Sequence, residues 1–390
     1  MERKRIKFAI ASISSLILIS MTASAILADI QAYFVGANQS LVQMVLTIPS
    51  LMAVVFAFAS GPLSMRLPKK NIVIFGLICG LIGGITAFAF GTTSISVLLF
   101  CSVLIGVAQG INSTISMALI ADYFTGDESS TLMGLQSAFL NGGSMVLIFI
   151  SSMLASFKWN YAYLVYLMFL PVIFITMKNL PKDHPTTKIE NNNTRNYGKL
   201  NLTVYFMALL MFLLGTFMFV FQTNIALLVV SKGFGDASTT GLINTTMSAV
   251  GMITGVLFGR IQKKLKHLMI SIALLIASFA MFLIFAVGSL PIIYFAAICM
   301  GFSLGSIIPA GTFIAANAVT RGMSANAIAV VTAAINFGMF VSPIIINVLS
   351  NSFGGGSIPF KFLVSAIGLL GVALLAFAGH NHMIKKEMQN

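Results

Sequence analysis

Twelve long apolar stretches dominate this 390-residue sequence and limit what it can fold into. Most of them reach the roughly 20 residues that an α-helix needs to cross a lipid bilayer. Charged residues make up only 8% of the chain, whereas a soluble domain carries about 25%, so a soluble fold is excluded. We therefore predict an all-α polytopic membrane protein with twelve transmembrane helices. The predicted spans are 8–32, 40–63, 71–91, 96–121, 131–156, 160–178, 202–230, 239–259, 267–287, 290–316, 324–350 and 359–379.

The basic residues are distributed unevenly along the chain. All but three of the 22 lysines and arginines lie in the two chain ends or in alternate connections between the predicted spans. The exceptions are Lys158, Lys232 and Lys361. Because cytoplasmic connections of membrane proteins carry an excess of Lys and Arg, this pattern predicts that both termini are cytoplasmic. The connections also account for the net charge of +13, so we predict no nucleic-acid partner.

A polar stretch near the middle of the chain divides the spans into two sets of six. Residues 179–199 are rich in Asn, Lys, Thr and Pro and are too polar to be a membrane segment. We predict an N-terminal six-helix bundle over 1–178, a flexible cytoplasmic linker over 179–200, and a C-terminal six-helix bundle over 201–390.

An internal repeat relates the two halves. Several residues recur at a constant offset of 194 or 195 positions, which apolar bias alone does not explain. Two parallel halves with a substrate site between them are a recurrent plan of secondary transporters, so the repeat predicts two pseudo-symmetric bundles. The matching pairs are Gly61 and Gly255, Arg66 and Arg260, Gly106 and Gly301, Gly110 and Gly305, Asp122 and Asn317, Asn141 and Asn336, and Gly143 and Gly338.

The segment from Gly61 to Lys70 resembles a loop motif of the major facilitator superfamily of transporters, Gly-x-Leu-Ala-Asp-Arg-x-Gly-Arg-Arg/Lys. The layout of the whole chain resembles the same family, and residues 29–51 resemble its bacterial drug-efflux-like members. The resemblance implies alternating access to one cavity lined by the first, fourth, seventh and tenth helices. It also implies a gating role for the loop residues Gly61, Arg66, Lys69, Lys70, Gly255 and Arg260.

Three departures from the family patterns bear on mechanism. Met65 and Pro68 stand where the loop motif has Asp and Gly. In the fourth span, Gly106-x-x-Gln109-Gly110 resembles the Arg-x-x-Gln-Gly motif of proton-coupled antiporters but has no Arg. An antiport mechanism therefore does not follow from the resemblance alone.

The predicted spans carry almost no charge within the membrane. No Lys or Arg lies in the middle of a span, and an unpaired buried charge costs several kcal/mol, so multiply anionic substrates are disfavoured. Asp29 is the one acid that a span holds away from the connections. It follows Lys7 by 22 residues, roughly 33 Å of helix, and so is predicted near the outer boundary. It is interpreted either as a proton-coupling or cation-binding carboxylate or as an interfacial acid that caps a helix end.

Polar side chains on the fourth span follow helical spacing. Gln109, Asn112, Ser113 and Ser116 occupy positions i, i+3, i+4 and i+7 and form one continuous face. We predict that this face lines the substrate cavity and offers hydrogen bonds to the substrate. The alternative is that these side chains join neighbouring helices, for about 0.6–2 kcal/mol each.

Weaker polar or aromatic stripes occur on five other spans. Each contributes candidate cavity residues, and for each the alternative is helix packing or, for the aromatic residue, contact with lipid. On the first span, the spacing of seven places Ser15, Thr22 and Asp29 on one face. The further candidates are Gln43 and Thr47 on the second span, Asn141 on the fifth, Phe219, Gln222 and Thr223 on the seventh, and Thr332 and Asn336 on the eleventh.

These observations predict a secondary active transporter of the plasma membrane that works by alternating access. The favoured activity is proton-coupled efflux of an apolar or cationic small organic molecule. The alternatives are uptake or facilitated diffusion of a small neutral solute, or a membrane receptor that transports nothing. The sequence has no phosphate-binding loop, catalytic triad or metal motif, so we predict no enzyme activity, cofactor or metal. The expected partners are the substrate, the proton and the lipid bilayer, and the expected oligomeric state is a monomer.

Overall fold

The computed structural model describes residues 2–124, 126–181, 201–265, 268–319 and 324–387. These residues form fourteen α-helices and two 3-10 segments, and none of them is in a β-strand. The 3-10 segments are Ile19–Ala25 and Trp159–Met168. The helices of the first half are α1 (Glu2–Leu16), α2 (Leu27–Tyr33), α3 (Gln39–Arg66), α4 (Lys69–Phe90), α5 (Ile95–Tyr123), α6 (Gly126–Ala155) and α7 (Phe169–Asn179). Those of the second half are α8 (Leu202–Met218), α9 (Val220–Ser231), α10 (Ala237–Leu265), α11 (Met269–Ala286), α12 (Leu290–Asn317), α13 (Ser324–Gly354) and α14 (Ile358–Glu387).

Twelve helical segments of the described chain are long and apolar enough to cross a membrane. Each overlaps one predicted span, from Arg3–Ala25 at the start of the chain to Ile358–Gly379 near its end. The predicted fold class, all-α with twelve transmembrane helices, is confirmed. Most of the predicted linker, 179–200, lies outside the described residues.

The first predicted span, 8–32, is not one continuous α-helix. α1 ends at Leu16, a 3-10 segment occupies Ile19–Ala25, and α2 begins only at Leu27. The hydroxyl groups of this stretch explain the change. Thr22 and Ser24 each donate to the carbonyl three residues earlier, at 2.7 and 2.6 Å, and so compete with the α-helical ladder for backbone acceptors. A common face for residues seven apart requires a regular period of 3.6 residues, and the 3-10 segment removes it.

The residues pack into two compact units. Unit 1 comprises Met1–Arg195 together with Gly233–Thr245, and unit 2 comprises Asn196–Lys232 together with Thr246–Asn390. α10 therefore begins in unit 1 and continues in unit 2. The predicted domain boundaries, 1–178 and 201–390, stay a prediction.

Glycines of the internal repeat lie where two helices meet closely. A Cβ at Gly110 of α5 would lie 2.6 Å from the carbonyl oxygen of Ala53 on α3. In unit 2, a Cβ at the matching Gly305 of α12 would lie 2.7 Å from the carbonyl oxygen of Gly251 on α10. Small residues allow helix backbones to approach in this way within membranes. The sequence repeat is thus also a repeat of helix packing, once in each unit.

A second pair of repeat glycines follows the same rule. In unit 1, a Cβ at Gly143 of α6 would lie 2.6 Å from Ser15 Cα on α1. In unit 2, a Cβ at Gly338 of α13 would lie 3.0 Å from Thr216 N on α8. Both neighbours are backbone atoms, which cannot rotate away, so these positions accept only glycine.

Candidate functional site

Unit 1 contains a layer of buried, uncharged polar side chains, which we call the polar layer. Ser20 Oγ donates to Gln109 Oε1 at 2.9 Å, which joins the first 3-10 segment to α5. Asn244 Nδ2 donates to Ser24 Oγ at 2.9 Å, which joins the start of α10 to the same segment. None of the members is more than 8% exposed. The polar layer consists of Ser20, Ser24, Thr47, Ser50, Gln109 and Asn244.

Part of the polar layer has unused hydrogen-bonding capacity. Among the described residues, Thr47 Oγ1, Ser50 Oγ and Asn244 Oδ1 are buried and have no hydrogen-bond partner. Native proteins rarely bury polar atoms in this way, so each such atom needs an explanation. Thr47 and Ser50 lie one turn apart on α3, where Pro49 contacts the α5 backbone at Gly106. These buried atoms can form hydrogen bonds that no described protein atom supplies.

The predicted cavity face of α5 is divided among several neighbours. Gln109 contacts the first 3-10 segment through Ser20, whereas Ser116 Oγ accepts from Gln136 Nε2 of α6 at 2.7 Å. Asn112 is 2% exposed, and its Oδ1 lies 3.1 Å from the Cβ position at Gly76 of α4.

The remaining residue of that face, Ser113, is half-buried and donates to the carbonyl of Gly110 at 3.1 Å. Two of the four side chains, Gln109 and Ser116, therefore join α5 to other elements by hydrogen bonds, as the packing alternative expects, whereas Asn112 Oδ1 has no hydrogen-bond partner among the described atoms. The cavity role of this face stays a prediction.

The other candidates of the first half differ in exposure, and their cavity role stays a prediction. Gln43 and Thr47 of α3 are both fully buried. Ser15 is half-buried, and its backbone meets Gly143 of α6. Thr22 is 2% exposed, and Asn141 is half-buried.

In unit 2, the predicted seventh span is interrupted between α8 and α9, at Phe219. Phe219, Gln222 and Thr223 are all buried, and Gln222 Nε2 approaches Met247 Sδ at 3.9 Å. Among the described atoms, Gln222 Oε1 has no hydrogen-bond partner, so it offers a buried acceptor.

The two candidates of α13 lie in a different environment. Thr332 is exposed and Asn336 is half-buried, with Asn336 Nδ2 donating to Thr332 O at 2.8 Å. Of the candidates in unit 2, the three at the start of α9 are therefore the more enclosed.

Asp29 lies beyond the first membrane-spanning segment, Arg3–Ala25, in the first turn of the short helix α2. We call this end of unit 1, with Asp29, Tyr33 and Trp159, the distal end; the Tyr33 and Trp159 rings are 5.5 Å apart. Burial, followed by the negative charge of Asp236, raises the pKa of Asp29 from its ordinary 3.8 to about 6, although a bond to its own backbone opposes this. Asp29 Oδ2 has no hydrogen-bond partner among the described atoms. This carboxyl group can therefore exchange a proton near neutral pH.

At the opposite end of unit 1, which we call the basic end, lysines tie the helix ends together. Lys7 Nζ lies 2.6 Å from Glu128 Oε1, and this hydrogen bond holds the pKa of Glu128 below its ordinary value. Lys70 Nζ donates to the carbonyls of Met177 and Leu180, both at 2.6 Å, and so satisfies the C-terminal end of α7. Lys69 pairs with Asp122 at the end of α5.

The two units differ at the predicted gating loops. In place of Asp122, unit 2 has Asn317, whose Nδ2 donates within its own helix to Phe313 O at 2.8 Å. Within the described part of unit 2, no ion pair replaces the one between Lys69 and Asp122.

The remaining loop residues have no enclosed environment. Arg66 and Arg260 are exposed, and a Cβ at Gly61 or Gly255 would meet no atom within 4 Å. The gating role of these residues stays a prediction.

Sequence reasoning did not single out several buried polar residues, among them Gln136, Asn244 and Lys361. Gln136 and Asn244 join helices in unit 1, and their polarity within apolar stretches was the available signal. Lys361, an exception to the charge pattern, falls at the edge of the predicted span 359–379, and the structure buries it to 1% exposure in the first turn of α14. One turn later Ser365 donates to Phe217 O, so this face of α14 packs on the end of α8.

The described chain has twelve membrane-spanning helical segments, and its two units repeat the same close helix contacts at glycine. Such an internally duplicated helical architecture is typical of secondary transporters. The chain matches the sequence profile of the Major Facilitator Superfamily over residues 8–286 and 207–382, and it belongs to that family. None of the curated protein sequences matches the chain.

Two solved structures have a similar fold. One is a bacterial homolog of the human lysosomal transporter Spinster, in an inward-facing and unoccupied conformation. It is 14% identical, with a TM-score of 0.77 over 98% of this chain and 98% of that chain. The other is the human organic anion transporter MFSD10 (TETRAN), 13% identical, with a TM-score of 0.71 over 96% of this chain and 100% of that chain. At these identities the similarity shows the fold alone.

Proposed function

We propose that this protein is a secondary active transporter that exports an apolar or cationic small organic molecule in exchange for protons, by alternating access. The observation that carries the proposal is Asp29, a carboxyl group that is partly buried at the distal end. Its raised pKa of about 6 lets it bind and release a proton within the physiological range. Family membership supports membrane transport, and Asp29 supports the coupling ion.

The polar layer supports the proposed substrate class. Its members carry hydroxyl and amide groups, and none of them is charged. The oxygens of such groups accept hydrogen bonds from an uncharged or cationic organic molecule, and they place no buried positive charge beside it. Thr47 and Ser50 are the residues of this layer that we propose to contact the substrate, because their hydroxyls lack protein partners in the described chain.

The distribution of basic residues supports an orientation. The basic end of unit 1 holds Lys7, Lys69 and Lys70, and Asp29 lies at the distal end. Because the cytoplasmic connections of membrane proteins carry an excess of Lys and Arg, we propose that the basic end and both termini face the cytoplasm. The proposed location is the plasma membrane, and the proposed oligomeric state is a monomer.

Reconstituted transport tests the proposal. The purified protein is placed in liposomes loaded with ethidium, a fluorescent organic cation, and a pH gradient is imposed in either direction. We expect ethidium to move against the proton flow at several times the rate measured without a gradient. Flux that ignores the gradient would favour facilitated diffusion, and the absence of flux for cationic and neutral probes alike would favour the receptor alternative.

A second candidate, export of an organic anion, is favoured by Lys361. Lys361 is buried to 1% exposure within a membrane helix, and ionisable residues there commonly mark a substrate or ion pathway. One of the structures with a similar fold is named an organic anion transporter, which is a statement about that protein.

Substitution of Lys361 separates the two candidates. We expect Lys361→Gln to leave ethidium export within about twofold of wild type, because a cation gains nothing from a buried ammonium group. Fluorescein, an organic anion, is measured in parallel. A loss of fluorescein flux of about tenfold or more in K361Q, with retention in K361R, would establish the anion candidate instead.

A further inference from the structure

One exposed face of α7 is apolar along its length and ends in a cation. Leu170, Phe174 and Met177 are large apolar side chains, and all three are exposed, Phe174 to 67%. With Lys178 they occupy positions i, i+4, i+7 and i+8, so they follow one face of the helix. Lys178 is exposed as well, and it lies one turn beyond Phe174 toward the basic end. An apolar stripe is thus followed by a positive charge.

The start of α1 repeats this arrangement. Phe8 is 57% exposed, and Lys4 and Arg5, which precede it by about one turn, are exposed too. Residues three or four positions apart share a helix face, so both cations lie beside Phe8. α1 begins at the basic end, α7 ends there, and the two helices pack against each other. On both helices, therefore, the cations lie one turn beyond an exposed phenylalanine, toward the same end of unit 1.

Contacts within unit 1 hold these two helix ends in place. Lys70 Nζ of α4 donates to two carbonyls that flank Lys178, both at 2.6 Å. Lys7 Nζ of α1 lies 2.6 Å from Glu128 Oε1 and 5.3 Å from the centre of the Phe124 ring. The exposed cations are therefore carried by helix ends that are already fixed to their neighbours.

The charge at these helix ends is unbalanced. The first six residues of α1 include four cations and one acid, Glu2. The ion pairs with Glu128 use two of the four cations. In the described part of the chain, no ion pair joins Lys4, Arg5 or Lys178 to an acid. A partner that brings its own negative charge is therefore favoured at this position.

We propose that Lys4, Arg5 and Lys178 bind the headgroup of an anionic phospholipid, whose acyl chains lie along Phe8 and Phe174. We call these five residues the lipid face. A phospholipid places its phosphate directly outside its chains, in the same order as the cations and rings of the lipid face. In the proposed orientation this lipid belongs to the cytoplasmic leaflet, which is the one rich in anionic lipids. The inference goes beyond the proposed function, because neither the substrate nor the coupling ion enters it.

Native mass spectrometry of the full chain, released from detergent micelles, tests the lipid face. The protein is titrated with palmitoyl-oleoyl phosphatidylglycerol and, in parallel, with the phosphatidylcholine that has the same chains and a zwitterionic headgroup. We expect the first phosphatidylglycerol to bind about tenfold or more tightly than phosphatidylcholine, since each Lys or Arg near an anionic surface contributes about fivefold. Lys178→Gln should weaken phosphatidylglycerol binding by about threefold to fivefold and leave phosphatidylcholine binding unchanged.

A combined variant and a matched control sharpen the test. Lys4→Gln, Arg5→Gln and Lys178→Gln together should bring the two affinities to within about twofold of each other. The control is Lys158→Gln, which removes an exposed lysine beside the exposed Phe157 at the distal end of the same unit. It should keep the wild-type preference. All the replaced side chains are exposed, so each variant should unfold within about 2 °C of wild type.

Four results would overturn the lipid face. The first is equal affinity of the wild type for the two lipids. The second is an equal loss in K178Q and K158Q, which would show a response to net charge alone. The third is displacement of bound phosphatidylglycerol by excess glycerol 3-phosphate, which would show a phosphate site that needs no acyl chains. The fourth is a dimer whose formation excludes the lipid, which would show that a second copy of the chain covers this surface.

Discussion

Replacement of Asp29 by asparagine should uncouple transport from the pH gradient. Burial, followed by the negative charge of Asp236, raises the pKa of this carboxyl group from 3.8 to about 6. Asparagine has nearly the same shape but cannot bind or release a proton. Because the variant has no titratable group at this position, gradient-stimulated ethidium export should fall by about tenfold or more. Downhill exchange of ethidium should persist, because the polar layer is unchanged.

The matched control for this variant is Asp122→Asn. It removes one carboxyl group from the opposite end of unit 1, where Asp122 pairs with Lys69. This ion pair is half-exposed and contributes about 1 kcal/mol or less, so D122N should keep its dependence on the gradient even if the rate changes. Asp29→Glu should restore coupling in part. Wild-type gradient dependence in D29N would show that Asp29 does not carry the proton.

Introduction of a valine at Gly110 should destabilise unit 1 strongly. A Cβ there would lie 2.6 Å from the carbonyl oxygen of Ala53 and 2.9 Å from its Cα, and both atoms belong to the α3 backbone. A side chain could rotate away, but the backbone cannot, so α3 and α5 must separate. Overpacking costs about 1–3 kcal/mol, and for a unit of this size the Tm should fall by about 5–10 °C. Thermal unfolding of detergent-solubilised protein, followed by fluorescence-detected size-exclusion chromatography, measures the shift.

Gly371→Val of α14 is the control for Gly110→Val. Gly371 is exposed in the middle of its helix, and a Cβ there would meet no atom within 4 Å. The same change of residue therefore introduces no clash, and its Tm should stay within about 2 °C of wild type, since Gly is a poor helix former. Equal Tm values for G110V and G371V would show that the close contact between α3 and α5 does not constrain the fold.

The candidate site was only partly accessible to sequence reasoning. Helical spacing placed Gln109 and Ser116 on one face of α5, but their bonds to Ser20 and Gln136 run to different neighbours. A period of 3.6 residues identifies a polar face, whereas the partner of each side chain depends on how the surrounding helices are rotated. Asn244 was missed for the same reason, since its partner, Ser24, lies 220 residues away in the sequence.

The number of spans, the family and the paired glycines followed from the sequence by itself. Span length is a local property of the chain, and the repeat offset is found by comparing the sequence with itself; the close contacts at Gly110 and Gly305 agree with that repeat. Tertiary structure alone decided that the first span is broken at Ile19–Ala25, that Lys361 is buried, and that Gly233–Thr245 packs with unit 1. The break depends on the hydroxyls of Thr22 and Ser24, which bond carbonyls three residues earlier, and the other two depend on which groups from distant parts of the chain exclude water or supply hydrogen bonds. The length and hydrophobicity of one span do not show which residues of other spans pack against it.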